Sequence, residues 1–169
     1  MTERSMLFRQ VLGSFATGVA IVTTNREGCY HGLTINSFTS VSLEPMLIQI
    51  NIAKHTTSHE YLLEAGQFNI NILAEDQQLI STIFSGAPPA ERYKHVTTWE
   101  TENGDPVIEG SLAYIAVKLV RTYDGGDHTI FLGEVLDMRT LRENALPLLY
   151  YRGKYERLLP GDDQFSGSA

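Results

Sequence analysis

The stretch H-G-L-T-I-N-S-F-T-S-V-S-L-E-P, residues 31–45, decides the interpretation of the whole chain. It begins as a strand in which Leu33 and Ile35 can face one side, and it then becomes polar. Uncharged hydroxyl and amide side chains follow closely on one another: Thr34, Asn36, Ser37, Thr39, Ser40 and Ser42. Such groups suit a flat, hydrogen-bonding heterocycle and a phosphate. Hydroxyls at a strand edge also satisfy nearby backbone groups, so the stretch alone leaves both interpretations open.

A second polar cluster lies downstream, at the start of a predicted helix. Thr57 and Glu60 form the pattern of a capping box for a helix from Ser58 to Ala65, which Gly66 ends. Hydroxyls and one lysine lie at or just before this start: Lys54, Thr56, Thr57 and Ser58. A helix N-terminus presents free N–H groups and partial positive charge, so the cluster suits a phosphate. The alternative is an ordinary cap with a solvated lysine; beside the polar stretch, we favour the phosphate.

Hydrophobic periodicity predicts a mainly β chain with a few short helices. A first helix, capped by Thr2, runs to about Phe15 and buries a stripe made of Leu7, Phe8, Val11, Leu12 and Phe15. A later helix covers residues 76–85, with inward-facing Leu79, Ile80, Ile83 and Phe84. Strands are predicted over 19–24, 30–36, 46–52, 68–73, 108–122, 129–139 and 146–151.

The remaining segment, residues 87–106, is irregular. It contains Arg92, Tyr93 and the single Trp99, and it could close over a ligand or pack against a partner subunit. Strands and helices do not alternate as in βαβ units. Because no G-x-G-x-x-G follows a strand, a nicotinamide nucleotide would not be bound in the Rossmann manner.

Length, charge and cysteine content limit which classes of function the chain can have. The 169 residues fit one domain, predicted over residues 1–160, with a flexible Gly/Ser/Asp tail at 161–169. The formal net charge of −7, without a basic cluster, argues against nucleic acid and against an anionic membrane surface. The single cysteine, Cys29, allows no disulfide within the chain and no cysteine-based zinc site. His55 and His59 lack a third ligand, so no metal is predicted. Without a signal core or a membrane-length apolar run, we expect a cytoplasmic protein.

Four segments in order resemble the short-chain flavin reductase family, and the resemblance covers roughly residues 7–158. They are F-A-T-G-V-A-I-V-T (15–23), the polar stretch, N-I-N-I-L (69–73) with Gln77 and Phe84, and G-D-H-T-I-F-L-G-E-V (126–135). The resemblance implies a split β-barrel of the Greek-key, FMN-binding type and a homodimer. It also implies NADH- or NADPH-dependent reduction of FMN or FAD, which supplies reduced flavin to a partner monooxygenase. Catalytic acid–base and nucleophile motifs are missing from the sequence, which fits a reaction carried by a cofactor.

The resemblance also suggests roles for single residues. The predicted flavin-binding set is Thr34, Asn36, Ser37, Phe38, Ser40, Ser42, Lys54, Thr56 and Ser58. His128, the histidine of the G-D-H motif, is predicted to lie beside the nicotinamide and to orient it, with Tyr151 and Arg152 as weaker members of the same pocket. Without the resemblance, His128 is as well explained as a loop histidine paired with Asp127, and the two tyrosines at 150–151 as packing at a strand end.

Two departures from the family pattern leave the choice of FMN or FAD open. Glu44-Pro45-Met46 replaces the usual double proline, and Asn36 stands where a small or hydroxyl residue is common. Two other functions remain as alternatives. One is a flavin-binding electron-transfer protein without nucleotide-oxidising activity. The other is an enzyme like pyridoxamine-phosphate oxidase, whose phosphate site typically relies on more arginine and lysine than this stretch offers.

Overall fold

The computed structural model describes residues 2–159, which form a mainly β protein with a few short helices. The helices are α1 (Glu3–Leu12), α2 (Thr57–Ala65), α3 (Gln78–Gly86) and α4 (Pro89–Arg92). The first strands are β1 (Thr17–Gly18), β2 (Ala20–Arg26), β3 (Cys29–Ile35), β4 (Thr39–Leu43), β5 (Met46–Ala53) and β6 (Gln67–Ile72). The later strands are β7 (Thr98–Glu100), β8 (Pro106–Ile108), β9 (Ala113–Gly125), β10 (His128–Thr140), β11 (Leu149–Tyr151) and β12 (Lys154–Glu156).

A seven-stranded antiparallel sheet in the order β3-β2-β6-β9-β10-β5-β4 forms the body of the molecule. Small sheets β1-β11-β12 and β7-β8 are attached to it. β3 and β4 lie at opposite ends of the strand order, although the chain between Ile35 and Thr39 spans at most about 14 Å. The sheet must therefore curve until its ends approach. Within residues 2–159 no ladder pairs β3 with β4, so the sheet is not a closed barrel.

The core lies on both faces of this sheet. One cluster, inside the curve, contains fully buried Ile50, Phe68 and Phe131. A second cluster includes Phe84 of α3 together with Ile108 and Leu148. Apolar and polar residues alternate along β6, yet both kinds are buried because both faces of the sheet are covered. The polar residue Asn71, for example, is buried and donates to Ile21 O at 3.0 Å.

The prediction that α1 buries an apolar stripe is wrong. Thr2 caps the helix as expected, its hydroxyl accepting from Ser5 N at 3.2 Å, but the helix ends at Leu12. Its apolar side chains are more than half exposed in the single chain: Met6, Leu7, Phe8, Val11 and Leu12, followed by Phe15. The periodicity identified an apolar face correctly, but no part of the sheet described here covers it.

Other boundaries also differ from the prediction. The expected strand 108–122 is two strands, β8 and β9, because the chain turns at Gly110, where φ is +81°. The helix expected at 76–85 is a short 3₁₀ turn, Glu75–Gln77, followed by α3, and Leu79 is 70% exposed instead of inward-facing. The last predicted strand is shortened to β11, and β12 was missed. The predicted tail at 161–169 lies outside the described residues.

Within residues 2–159, no helix has the length and apolar character needed to cross a membrane.

Candidate functional site

A cavity of about 380 Å³ opens between β3, the start of α2, the end of α3 and α4. Its volume lies at the lower end of the range typical of small-molecule sites. Polar and apolar side chains line it together: His31, Leu33, Thr34, His55, Thr56, Thr57, Ser58, Phe84, Ser85, Pro89 and Arg92. The polar stretch and the helix start that the sequence singled out therefore meet in one place.

The close approach of α3 and α4 to β3 forms one wall of this cavity. A side-chain carbon at Gly32 would lie 2.9 Å from both the Phe84 ring and the Tyr93 hydroxyl, so only glycine allows this packing. Thr34, two residues further along the same face of β3, donates to Ser81 O of α3 at 2.7 Å. The wall is thus held by close packing at Gly32 and by a hydrogen bond from the strand to α3.

The first turn of α2 forms the opposite wall. The helix begins at Thr57 and its N-cap is Thr56, so the predicted capping box at Thr57 is wrong by one residue. The Thr56 hydroxyl donates back to Ala53 O at 2.8 Å and, in the described structure, does not cap the helix. Because that side chain makes no cap, the first N–H groups of the helix remain available to an anion.

Buried His31 and Ser58 connect the two walls. His31 Nε2 and Ser58 Oγ share a hydrogen bond of 3.0 Å, and the imidazole stacks on the Tyr61 ring with 4.2 Å between centroids. Burial, and secondarily the charge of Arg92, lower the pKa of His31 to about 4. At neutral pH this histidine is therefore an uncharged imidazole.

Arg92 provides the positive charge of the cavity. Its Nε donates to Ala87 O at 2.9 Å and its Nη1 donates to Gly32 O at 2.5 Å. Burial lowers its pKa, but a guanidinium stays protonated at physiological pH. Sequence reasoning had placed Arg92 only in the irregular segment, because no local motif connects it to the residues it meets.

The other predicted flavin-binding residues of the polar stretch lie outside this lining. Ser37 Oγ donates to Asn51 O at 2.9 Å and accepts from Asn51 N at 3.2 Å, joining the β3–β4 connection to β5. Asn36 is exposed and donates to Thr17 Oγ1 at 3.2 Å. Phe38 packs against the core cluster inside the sheet, and Ser40 and Ser42 lie on edge strand β4. Of the predicted set, the cavity brings together Thr34, Thr56 and Ser58.

Lys54 and His128 share a different place, the corner where β5 ends beside the start of β10. Lys54 N donates to Asp127 O at 3.0 Å, and the Lys54 ammonium pairs with the Asp124 carboxylate. His128 Nδ1 lies 2.7 Å from Asp127 Oδ1. These contacts lower the pKa values of both aspartates. Lys54 therefore lies outside the cavity lining, already paired with a carboxylate.

The three residues predicted for the nicotinamide lie on two separate parts of the fold. His128 begins β10, whereas Tyr151 ends β11 in the small sheet that pairs with β1. Arg152 follows in the β11–β12 turn with φ at +48°, and its guanidinium lies 5.1 Å from the centre of the Tyr151 ring. Across the described part of the chain, no group of three or more histidine, cysteine or acidic residues is placed to hold a metal ion.

Comparison with known proteins gives consistent matches. Residues 12–159 match the family model described as "Flavin reductase like domain". The reductase subunit HsaB of a flavin-dependent monooxygenase from Rhodococcus jostii is 39% identical over 153 residues, covering 90% of this chain and 77% of that protein. An NADH-dependent flavin reductase from a Rhodococcus species is 38% identical over 161 residues, covering 92% of this chain and 88% of that protein.

A solved structure matches over nearly the same length. The NADH:FAD oxidoreductase SgcE6 of Streptomyces globisporus C-1027 superposes with a TM-score of 0.89 at 34% identity. The match covers 95% of this chain and 96% of that one, so the curved sheet and its helices are shared as a whole.

Proposed function

The chain belongs to the family described as flavin reductase like domain, and from that premise we propose that it uses NADH or NADPH to reduce FMN or FAD. We further propose that the reduced flavin is supplied to a partner monooxygenase. The names of the similar proteins support both steps, since one is a reductase subunit of a flavin-dependent monooxygenase and another an NADH-dependent flavin reductase. A flavin supplies hydride-accepting chemistry when it is bound, so the protein's task is to bind and orient.

The cavity between β3 and α2 is the observation that carries this proposal. A phosphate fits the chemistry of its polar groups, because the uncapped first turn of α2, the Ser58 hydroxyl and the Arg92 guanidinium all surround the same space. A hydrogen bond from a charged group of this kind contributes roughly 1.5–3 kcal/mol. Leu33 and Pro89 provide apolar surface beside these donors. The cavity therefore offers the mixed environment that a flavin nucleotide needs.

We propose that the remaining predicted flavin-binding residues contact the flavin beyond this cavity. Asn36, Ser37, Phe38, Ser40 and Ser42 lie on the chain that continues from Thr34. The exposed Asn36 amide and Ser40 hydroxyl would be available to the flavin ring, whereas the Ser37 hydroxyl already bonds to Asn51. Lys54 lies two residues before Thr56, so release from Asp124 would let it act as a second cation for the phosphate.

For the nicotinamide, we propose that His128 orients the ring beside the flavin, with Tyr151 and Arg152 near the same nucleotide. His128 pairs across the sheet with Ala53, three residues before the cavity residue Thr56. Because His128 lies beside the end of β5, close in sequence to the cavity residue Thr56, it could hold the nicotinamide against a flavin bound in the cavity. We assign no proton transfer to His128.

The exposed apolar surface supports the proposed homodimer. Leu7, Phe8 and Val11 on α1, together with Val41 and Leu43 on β4, are each 49–85% exposed in the single chain. Monomeric soluble proteins rarely leave large apolar patches uncovered. A second copy that covers these side chains would also explain the apolar periodicity of α1.

Three further points belong to the same proposal. The curved sheet, with β3 and β4 at its two ends, is consistent with a split β-barrel of the Greek-key type. The barrel would form one domain over residues 1–160. We also propose a cytoplasmic location, where NADH and NADPH are available.

A steady-state assay that crosses NADH and NADPH with FMN, FAD and riboflavin tests the function directly. We expect nucleotide oxidation only when a flavin is added, because the flavin is the proposed hydride acceptor and protein side chains do not accept a hydride. Oxidation no faster than the nonenzymatic background in every pair would contradict the enzyme. Flavin binding without nucleotide oxidation would instead favour the electron-transfer alternative.

A further inference from the structure

His31 is the most deeply buried polar side chain that lines the cavity. It is 3% exposed and its hydrogen-bond partner Ser58 is 4% exposed, whereas Thr34, Thr56 and Arg92 are only partly buried. The ring is fixed on one side by stacking on Tyr61, and its backbone is fixed because Tyr93 Oη donates to His31 O at 2.8 Å. The imidazole therefore has little freedom to turn away from Ser58.

The direction of the His31–Ser58 hydrogen bond decides what the cavity presents to a ligand. When Ser58 O–H donates to Nε2, the lone pairs of Ser58 Oγ are left facing the cavity, and they repel an anion. When Nε2–H donates to Ser58 Oγ, the serine proton is free to donate to a ligand oxygen. An uncharged imidazole can adopt either tautomer, so a phosphate in the cavity would select the second arrangement.

We propose that His31 is a positioning residue for the flavin phosphate: it donates through Nε2–H to Ser58 Oγ and thereby directs the Ser58 hydroxyl proton toward a phosphate oxygen in the cavity. The inference rests on the proposed function, because it takes the phosphate to be that of a bound flavin nucleotide. Arg92 supplies charge to the same phosphate, while His31 acts only through Ser58. A charged histidine would add nothing to this role, since the donated hydrogen already exists on the uncharged ring.

A matched control is His59, which follows Ser58 on α2. His59 Nε2 shares a hydrogen bond of 2.8 Å with the Thr129 hydroxyl, and the His59 ring meets Phe131 edge-on. Neither His59 nor Thr129 is among the described residues lining the cavity. The two histidines thus make the same kind of bond in two places, and only one of the bonds faces the proposed phosphate.

The experiment compares His31→Phe, which keeps a ring on Tyr61 but removes both nitrogens, with His59→Phe. Affinities for FMN and riboflavin are measured by flavin fluorescence or calorimetry, with the melting temperature of each variant. We expect His31→Phe to weaken FMN by about tenfold and riboflavin by less than about twofold, because only FMN carries the phosphate. His59→Phe should change the ratio of the two affinities by less than about twofold.

Two further variants separate positioning from structure. His31→Gln, whose amide can still donate to Ser58 Oγ, should recover most of the FMN affinity. The double variant His31→Phe/Ser58→Ala should lose no more FMN affinity than Ser58→Ala alone, since the histidine acts through the serine. In isotope-labelled protein, FMN but not riboflavin should increase the Nε2–H tautomer of His31.

Several results would overturn the proposal. One is an equal loss of FMN and riboflavin affinity in His31→Phe, and another is an additive loss in the double variant. A third is a rise in the KM for NADH with FMN affinity unchanged, which would assign the cavity to the nucleotide. If the unaltered protein binds neither flavin, the proposed function fails as well. If it binds FMN and riboflavin equally well, only the phosphate site and the role of His31 fail.

Discussion

The cavity and the β5–β10 corner are two polar regions built in opposite ways. In the cavity, Thr34 and Arg92 are partly buried and fixed to neighbouring backbone, Thr34 to Ser81 O and Arg92 to Gly32 O, and His31 and Ser58 are buried, although the lining residues His55, Thr57 and Ser85 are exposed. In the corner, the charges face water: the side chains of Lys54 and His128 are 41% and 45% exposed, and those of Asp124 and Asp127 are 78% and 91% exposed.

The difference separates two tasks that a flavin reductase must perform. A fixed and partly dry site loses little side-chain entropy when a ligand binds, so it suits the component that must be held in one orientation. Exposed ion pairs contribute only about 0–1 kcal/mol and exchange partners readily, so the corner suits a nucleotide that enters and leaves in each turnover. Substitutions in the two regions should therefore change different measured quantities.

The largest effect is expected in the corner. His128→Ala should lower the rate of NADH or NADPH oxidation, raise the KM for the nucleotide, or both, by up to about 100-fold, because a positioning group is lost. Flavin affinity should change little, since the cavity is on other elements. Stopped-flow or steady-state kinetics, together with flavin Kd and melting temperature, measure each quantity on the same variant.

His95→Ala, which removes an exposed histidine outside this corner, is the control for His128 and should leave all three measurements unchanged. Normal nucleotide kinetics in His128→Ala would contradict the assigned role. A collapse of flavin affinity together with stability would instead show that the Asp127–His128 pair is structural.

A smaller effect is expected on flavin binding, where Arg92→Met in the cavity and Lys54→Met in the corner test which cation serves the phosphate. Arg92→Met should weaken FMN about 10- to 100-fold and riboflavin much less, because it removes a charged donor from the lining. Lys54→Met should weaken FMN by less than about tenfold, since Lys54 must first leave Asp124. Titration of both variants with FMN and riboflavin gives the comparison, and a larger phosphate-dependent loss in Lys54→Met would reverse the assignment.

Sequence reasoning reached some of this arrangement and missed the rest for physical reasons. Strand alternation and the Gly66 stop are local properties, so most strands and α2 were located within a few residues. The residue pairs that build the cavity are separated by long stretches of chain, as Ser58 is from His31 and Arg92 from Gly32, and no local pattern reveals such contacts. The exposed face of α1 shows a related limit: periodicity identifies an apolar face, but not what covers it.

The smallest effect concerns the pH dependence of stability. Burial lowers the pKa of His31 to about 4, against an ordinary value of 6.5, and Arg92 adds to the shift. Between these values the unfolded chain binds more protons than the folded one, so the contribution of His31 to stability is lost as pH falls from about 6.5 to 4. Asp105 acts in the opposite sense, because burial raises its pKa from 3.8 to about 6 and its contribution is lost as pH rises through that range.

These opposing contributions should leave the unaltered protein with a flatter stability profile than either group alone would give. Relative to the unaltered protein, His31→Phe should gain stability as pH falls from 6.5 to 4, on the order of 1–2 kcal/mol after solvent screening. Asp105→Asn should gain as pH rises from about 4 to 6. Urea unfolding at several pH values gives the differences directly. Because Tyr61, Ser58 and Arg92 surround the ring in the folded state, parallel profiles for His31→Phe and the unaltered protein would mean that His31 is protonated there as easily as in water. His31 would then be protonated at mildly acidic pH, and its Nε2–H would donate to Ser58 Oγ with or without a phosphate.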